Sequence, residues 1–118
     1  MVSAMTEECW AGVYVIRNVV TEQVYVGASI RLGYRWREHQ WGGGRSTYMV
    51  QKSWIECGED CMRFEVLEHV EDVSHLKERE QYWIDELDAR CPKHGLNKRN
   101  PIPRPWKPCS RCAKEQAA

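Results

Sequence analysis

Two short runs of β-branched and aromatic residues, Gly12 to Asn18 and Gln23 to Ala28, flank a polar, turn-like stretch. Strands this short and this close satisfy their backbone groups most directly by pairing with each other, so the sequence predicts an antiparallel hairpin. Pairing would bring Tyr14 and Tyr25 close across the two strands. Cross-strand aromatic pairs are common packing units. A phenol hydroxyl can also bind a phosphate or orient a water, so the pair bears on chemistry as well as on the core.

The rest of the chain alternates helical and extended signals. Ser29 is placed to cap a helix running from Arg31 to about Gln40, which Gly42-Gly43-Gly44 ends. Ser46 or Thr47 caps a second helix, Tyr48 to Cys57, stopped by Gly58. Arg63 to Val70 alternates well enough for a third strand, and Ser74 opens a third helix that ends near Asp88, before Pro92. From Asn100 to Pro108 prolines recur too densely for helix or central strand, so an extended basic tail is expected. The organisation this gives is an N-terminal extension (1–10), a core domain (11–98) and a Pro-rich basic tail (99–118).

A chain of 118 residues suits one domain with a modest core. No apolar run approaches the ~18–20 residues that span a bilayer, and Met1 to Glu8 lacks a basic segment followed by an apolar one. No membrane association is expected, and the expected location is the cytoplasm of a bacterium or phage-infected host. In that setting the six cysteines read as thiols or metal ligands rather than as a disulfide scaffold. The formal net charge of zero conceals segregation. Glu56 to Asp88 is acidic, with only Arg63, Lys77 and Arg79 as cations, whereas Arg31, Arg35, Arg37 and Arg45 form one basic stretch and Arg90 onward another. Such segregation can build a basic face for phosphates, or the two kinds of segment can simply pair with each other.

Arg35 and His39 stand four apart, hence on one face of the first helix. Arginine clamps phosphate bidentately and histidine moves protons near neutral pH. Glu80 lies within the apolar stripe of the third helix, among Leu76, Trp83, Ile84 and Leu87. A carboxylate there needs a partner: a bound cation, or a salt bridge to a residue such as Arg35. One carboxylate, two phenols, an arginine and a histidine together make a workable phosphodiesterase set.

The order and spacing of these residues resemble the GIY-YIG nuclease family, closest to its phage and intron homing endonuclease branch. The resemblance is carried by Gly12-Val13-Tyr14, Tyr25-Val26-Gly27, Arg35-Trp36-Arg37-Glu38-His39, the Val66-Leu67-Glu68 segment, Glu78-Arg79-Glu80 leading into Tyr82-Trp83-Ile84, and Gly95-Leu96-Asn97. It implies an α+β fold, a small three-stranded antiparallel sheet flanked by helices. It implies that Tyr14 acts as general base or orients the attacking water and that Tyr25 positions the phosphate. Arg35 would stabilise the transition state, His39 assist proton transfer, Glu80 bind one Mg2+ and Asn97 support the geometry. Arg45 or Ser46 stands where some homing enzymes carry a second histidine, and Leu96 replaces the usual tyrosine of the closing motif.

The activity expected is divalent-metal-dependent hydrolysis of DNA, of the homing or mobile-element-associated kind. The alternatives are a non-catalytic nucleic-acid-binding module and a structure-specific repair nuclease of the same family. Arg31, Arg37, Arg45, Lys98, Arg99 and Arg104 are the expected DNA contacts. The protein would act as a monomer or a transient dimer on DNA, with a separate DNA-targeting protein as a further partner. Finally, Cys91-Pro92-Lys93-His94 and Cys109-Ser110-Arg111-Cys112 are two ligand pairs whose four side chains could hold a structural Zn2+. The alternative is that Cys109 and Cys112 fray in the tail. Cys57 and Cys61 form a pair with a poorer setting for a metal, and Cys9 suggests nothing specific.

Overall fold

The computed structural model describes residues 10–41, 48–97, 100–102 and 109–117. Strands β1 (Gly12–Asn18), β2 (Val24–Ser29) and β3 (Met62–His69) form one antiparallel sheet in the order β2-β1-β3. Helices α1 (Leu32–Trp41) and α2 (Tyr48–Cys57) follow the hairpin. Helix α3 (Leu76–Glu86) follows β3 through a single 3-10 turn (Val73–His75), and α4 (Ser110–Ala117) closes the chain.

The hairpin forms as its composition dictates. Asn18 shapes the turn: its Oδ1 accepts from the Val20 and Thr21 amides at 2.9 and 3.0 Å, and its Nδ2 donates to Ser53 Oγ of α2 at 2.8 Å. An Asx side chain that satisfies the turn and reaches a helix ties local structure to packing. β1 is central, and from Gly12 to Ile16 it is buried on both sides, which explains its nearly continuous apolar sequence.

The two faces carry different cores. On one face Tyr14, Ile16 and Met62 pack with Leu32 of α1 and Val50 of α2, joined by Tyr25, Trp36, Trp54, Phe64 and Val66. On the other, Val13, Val15, Val24 and Val26 pack with Ile84, Val70 and Ala89, joined by Leu76, Trp83 and Leu87. The sheet is therefore sandwiched, with α1 and α2 on one side and α3 on the other. A β-bulge makes this possible. Val13 pairs with Glu68 while Tyr14 pairs with Val66, so Leu67 is the extra residue on β3. The insertion inverts the alternation of β3 beyond it. Glu68 thereby faces α3, where Arg79 donates to it at 2.7–2.9 Å and Trp83 Nε1 at 3.0 Å.

The extended-tail expectation needs correction. Residues 110–117 are helical, because proline restricts the chain only through Pro108 and the following residues Ser110 to Ala117 are mostly good helix formers. The third helix begins two residues later than Ser74 suggested, after an Asp72 cap whose carboxylate accepts from the Ser74 amide at 3.0 Å. Cys57 and Cys61, expected as thiols, are joined in a disulfide across the end of α2. Gly58 ends α2 with φ of 92°, as its sequence position predicted. The expected caps Ser46 and Thr47, the Gly42-Gly43-Gly44 stop and nearly all of the N-terminal extension lie outside the described residues.

After α3 the chain folds back along the outer edge of β2. Gly95 makes a parallel bridge to Val24, and a Cβ at residue 95 would overlap the Ala89 carbonyl. Since the clash is with backbone, no rotamer change relieves it. Gly95→Ala is expected to destabilise the domain by about 1–3 kcal/mol, read as a lower urea midpoint. A wild-type midpoint would refute the close approach.

Candidate functional site

Tyr14 sits on β1 directly opposite Gly27, and Tyr25 sits on β2 opposite Ile16. The two tyrosines are therefore diagonal neighbours on one face, with ring centroids 6.3 Å apart at 47°. The Tyr14 ring lies over Gly27, so closely that a Cβ there would overlap the phenol. The second glycine of the hairpin motif thus makes room for the first tyrosine. Phe64 of β3 stacks on Tyr14 from the other side at 5.2 Å.

Helix α1 closes over the phenols. His39, 2 % exposed, places Nε2 at 2.8 Å from Tyr14 Oη, and its ring lies 5.6 Å from both tyrosine rings. Arg35, one turn earlier, is near enough to both phenols to oppose the rise of their pKa values and pairs with Glu38 at 3.4 Å. Glu80 projects from α3 and is near enough for its charge to raise the pKa of both tyrosines. The residues named from sequence, Tyr14, Tyr25, Arg35, His39 and Glu80, thus converge on one locality. The salt bridge from Glu80 to Arg35, one of the two partners sequence allowed, does not form. Among the described residues Glu80 has neither a hydrogen-bond nor an ion-pair partner.

The electrostatics follow from burial. Burial lifts the Tyr14 phenol far above its ordinary range, with Tyr25 adding to the effect and Arg35 opposing it. Burial raises Tyr25 likewise. It drives His39 down to about 3, with the nearby Arg35 charge adding to the effect. Burial also raises the Glu80 carboxyl, against a smaller opposing pull from Lys77. The site therefore holds neutral phenols, a neutral imidazole and one permanent cation, and its carboxylate gains from any cation that desolvates with it.

Asn97 does not reach into this cluster. Its side chain hydrogen-bonds Val26 in both directions, accepting from the amide at 2.8 Å and donating to the carbonyl at 2.7 Å. It acts as a peptide group added to the edge of β2. Of the expected DNA contacts, Arg31 and Arg37 are exposed on or beside α1, with Arg31 stacked over the exposed Tyr34 ring at 5.0 Å. Arg45, Lys98, Arg99 and Arg104 lie outside the described residues.

The second cluster expected from sequence also assembles. The ligand atoms of Cys91, His94, Cys109 and Cys112 all lie within 4.8 Å of one another. His94 Nδ1 is 3.5 Å from Cys91 Sγ, 3.4 Å from Cys109 Sγ and 3.5 Å from Cys112 Sγ, and the Cys91 and Cys112 sulfurs are 3.5 Å apart. Cys109 and Cys112 are therefore docked, not frayed. Burial opposes ionisation of Cys91, but the His94 and Lys93 amides and the neighbouring thiols bring it down to about 6. No sequence signal marked the residue that docks α4, Arg111, which donates to the carbonyls of Glu22, Leu87 and His94 at 3.0–3.3 Å. Nor did any mark Gln81, a buried amide that bonds Asp85, Asn100 and the Ile102 amide.

A burial-depressed histidine makes stability pH-dependent. Between pH 6.5 and about 3 the unfolded chain protonates His39 and the folded one does not, so acid drains stability and rising pH restores it. The steepest slope from this group is about 1.4 kcal/mol per pH unit. His39→Gln should flatten the acid limb of the melting temperature between about pH 4 and 6.5, and an unchanged slope would contradict the burial of a neutral imidazole.

Residues 10–98 match the family model described as the GIY-YIG catalytic domain. Intron-associated endonuclease 1 of Enterobacteria phage T4 is 31% identical over 92 residues, covering 74% of the chain and 36% of the relative. The chain thus spans about a third of the length of that relative. Among solved structures, the catalytic domain of intron endonuclease I-TevI, in a mutant form, superposes with a TM-score of 0.66 at 27% identity, covering 77% of this chain and 95% of that one. A second structure, the catalytic domain of homing endonuclease I-TevI, gives 0.63 at 27% identity, covering 74% and 96%.

Proposed function

Because the chain belongs to the GIY-YIG endonuclease family, we propose that it is a divalent-metal-dependent DNA endonuclease of the homing or mobile-element-associated kind. The observation that carries this reading is Glu80. It is a half-buried carboxylate with a raised pKa, without a hydrogen-bond or ion-pair partner among the described residues, beside two phenols and an arginine. A structural carboxylate in such surroundings would be paired, whereas one that receives Mg2+ is left open.

The residues divide the work by chemistry. Arg35 holds the non-bridging phosphate oxygens and faces the charge that builds on them. Tyr25 donates its hydroxyl to the phosphate and orients it. Tyr14 takes a proton from the attacking water while passing its own proton to His39 Nε2, along the 2.8 Å contact between them. In the free protein His39 is a poor acceptor because of burial and the Arg35 charge. A bound phosphate neutralises Arg35 and strengthens the imidazole as a base, so proton uptake is coupled to substrate. When bound at Glu80, Mg2+ supplies Lewis-acid stabilisation of the phosphate oxygens. Asn97 keeps the β2 edge in register.

Phosphate contacts away from the site fall to Arg31 and Arg37, and to Arg45, Lys98, Arg99 and Arg104. Such contacts position DNA without reading its sequence, so target choice is assigned to a separate DNA-targeting protein. With one site per chain, the protein acts as a monomer or a transient dimer on DNA and cuts one strand at a time. The relative from a phage supports a location in the cytoplasm of a bacterium or phage-infected host. Among the described residues no helix is long and apolar enough to cross a membrane.

We assign the thiolate and imidazole cluster to zinc. In a tetrahedral site with Zn–S near 2.3 Å and Zn–N near 2.05 Å, neighbouring ligand atoms stand about 3.5–3.8 Å apart. Four of the six ligand-atom pairs stand at 3.4–3.5 Å, near that cage, and all lie within 4.8 Å.

Glu80→Ala and Arg35→Ala should each lower kcat for Mg2+-dependent nicking of supercoiled DNA by about 100- to 1000-fold, with an unchanged far-ultraviolet spectrum. Unchanged cleavage by Glu80→Ala would defeat the assignment. DNA binding without cleavage across several metals would identify a binding module, and a strong preference for branched over linear DNA would identify a repair nuclease. Metal analysis of protein purified without chelator should find one zinc per chain, lost in the Cys109→Ser, Cys112→Ser double variant. Folded, zinc-free protein rules the zinc assignment out.

A further inference from the structure

The segment that follows α3 makes no regular strand, yet it brackets Tyr25. The Val24 amide donates to the His94 carbonyl at 3.2 Å, and the Leu96 amide donates to the Val24 carbonyl at 2.8 Å. One residue beyond Tyr25, both polar backbone groups of Val26 are held by the Asn97 side chain at 2.7 and 2.8 Å. The outer edge of β2 therefore rests on residues 94–97 immediately before and after the tyrosine. Beyond these four hydrogen bonds and one parallel bridge, Val24 to Gly95, the segment adds no regular strand to the sheet, and so short a pairing gains little against chain entropy.

What anchors the segment lies next to it. His94, whose carbonyl receives Val24, is also the imidazole of the Cys91, His94, Cys109 and Cys112 cluster. Arg111, between two of the cysteines, donates to that same His94 carbonyl at 3.0 Å. It reaches the Glu22 carbonyl at 3.2 Å as well, and Glu22 holds a left-handed φ of 65° in the turn that enters β2. Ser110 adds a 2.7 Å bond to Asp88, another left-handed residue with φ of 53°. Helix α4 thus touches the turn before β2 and the segment beside it. Cys109 and Cys112 lie beyond residues 10–98 that match the family model, so half of this anchor is supplied by sequence outside the matched domain.

We propose that the cluster, loaded with zinc, is the clamp that holds residues 94–97 against β2 and thereby positions Tyr25 for phosphate. This rests on the assignment of zinc to the cluster. Cys109, Cys112 and Arg111 are positioning residues in this arrangement: they touch neither phosphate nor the reacting water, and act through the His94 carbonyl and the β2 edge. Catalytic competence is then conditional on two metals with separate duties, one at Glu80 and one some distance away that keeps an edge strand in register.

The test strips zinc from the full chain with a zinc-selective chelator at saturating Mg2+, and uses Cys112→Ser in parallel. Three quantities are read: zinc content, amide hydrogen exchange, and kcat and KM for nicking of supercoiled DNA. On zinc loss the Val24 and Val26 amides should exchange at least about tenfold faster, while the central β1 amides of Val15 and Ile16 stay protected. kcat should fall roughly 10- to 100-fold with little change in KM, and added zinc should restore both readouts. Zinc present in the wild type but no change in Val24 and Val26 exchange or in kcat on stripping overturns the clamp alone. Wild-type protein that never holds zinc overturns the zinc assignment and the clamp with it. If stripping also exposes β1, Arg111→Ala decides the matter, because it retains all four ligands. It should keep zinc and β1 protection while speeding Val24 exchange and lowering kcat, and wild-type values for both overturn the proposal.

Discussion

The burial of one phenol organises this domain. Tyr14 stands at the centre of the central strand, stacked on Phe64, hydrogen-bonded to His39 and laid over the bare Cα of Gly27. Each contact constrains a different element. Gly27 cannot carry a side chain, His39 fixes the rotation of α1, and Phe64 fixes the register of β3. A buried hydroxyl without a partner would cost a few kcal/mol, so the histidine answers a requirement of folding. Tyr14 and His39 therefore belong to the core, whereas Tyr25, Arg35 and Glu80 are only partly buried beside them.

The two faces of the sheet differ in composition. The face under α1 and α2 is aromatic and carries the phenols, Arg35 and His39, whereas the face under α3 is aliphatic and built from valines. The Leu67 bulge lets one strand serve both, sending Phe64 and Val66 to the aromatic side and Glu68 to Arg79 and Trp83. On the outer edges, β2 is covered by residues 94–97, and β3 shows exposed Arg63 and Glu65 to solvent. Charged side chains on a free edge discourage pairing with another chain.

Much of this was legible in the sequence. The hairpin, the two helices after it and the third strand fall within a residue or two of their expected bounds, because β-branched alternation, the terminal glycine and the apolar spacing all act locally. Glu80 was legible as an anomaly, a charge in an apolar stripe, and Cys91, His94, Cys109 and Cys112 stood out by their ligand spacing. Other features depend on distant partners and left no local trace. The Leu67 bulge is invisible in an apolar pair, Arg111 looks like any tail arginine, and the Cys57 to Cys61 disulfide could not be told from two thiols. The helix at 110–117 was hidden by the prolines before it, whose influence ends at Pro108.

Glu80 belongs to a helix whose apolar side packs beneath the valine face, yet its charge is felt by phenols on the opposite face. The proposed ligand for a cation and the proposed ligands for a phosphate thus come from two layers that meet through side-chain packing. Sliding of α3 along the sheet would alter the spacing between Glu80 and the phenols without disturbing a single strand hydrogen bond. The latch of Arg79 and Trp83 on Glu68, one residue before and three after Glu80, resists that shear. The rigidity of a layer interface therefore sets the tolerance of the site, and changes remote from any reacting atom can detune it by loosening the joint.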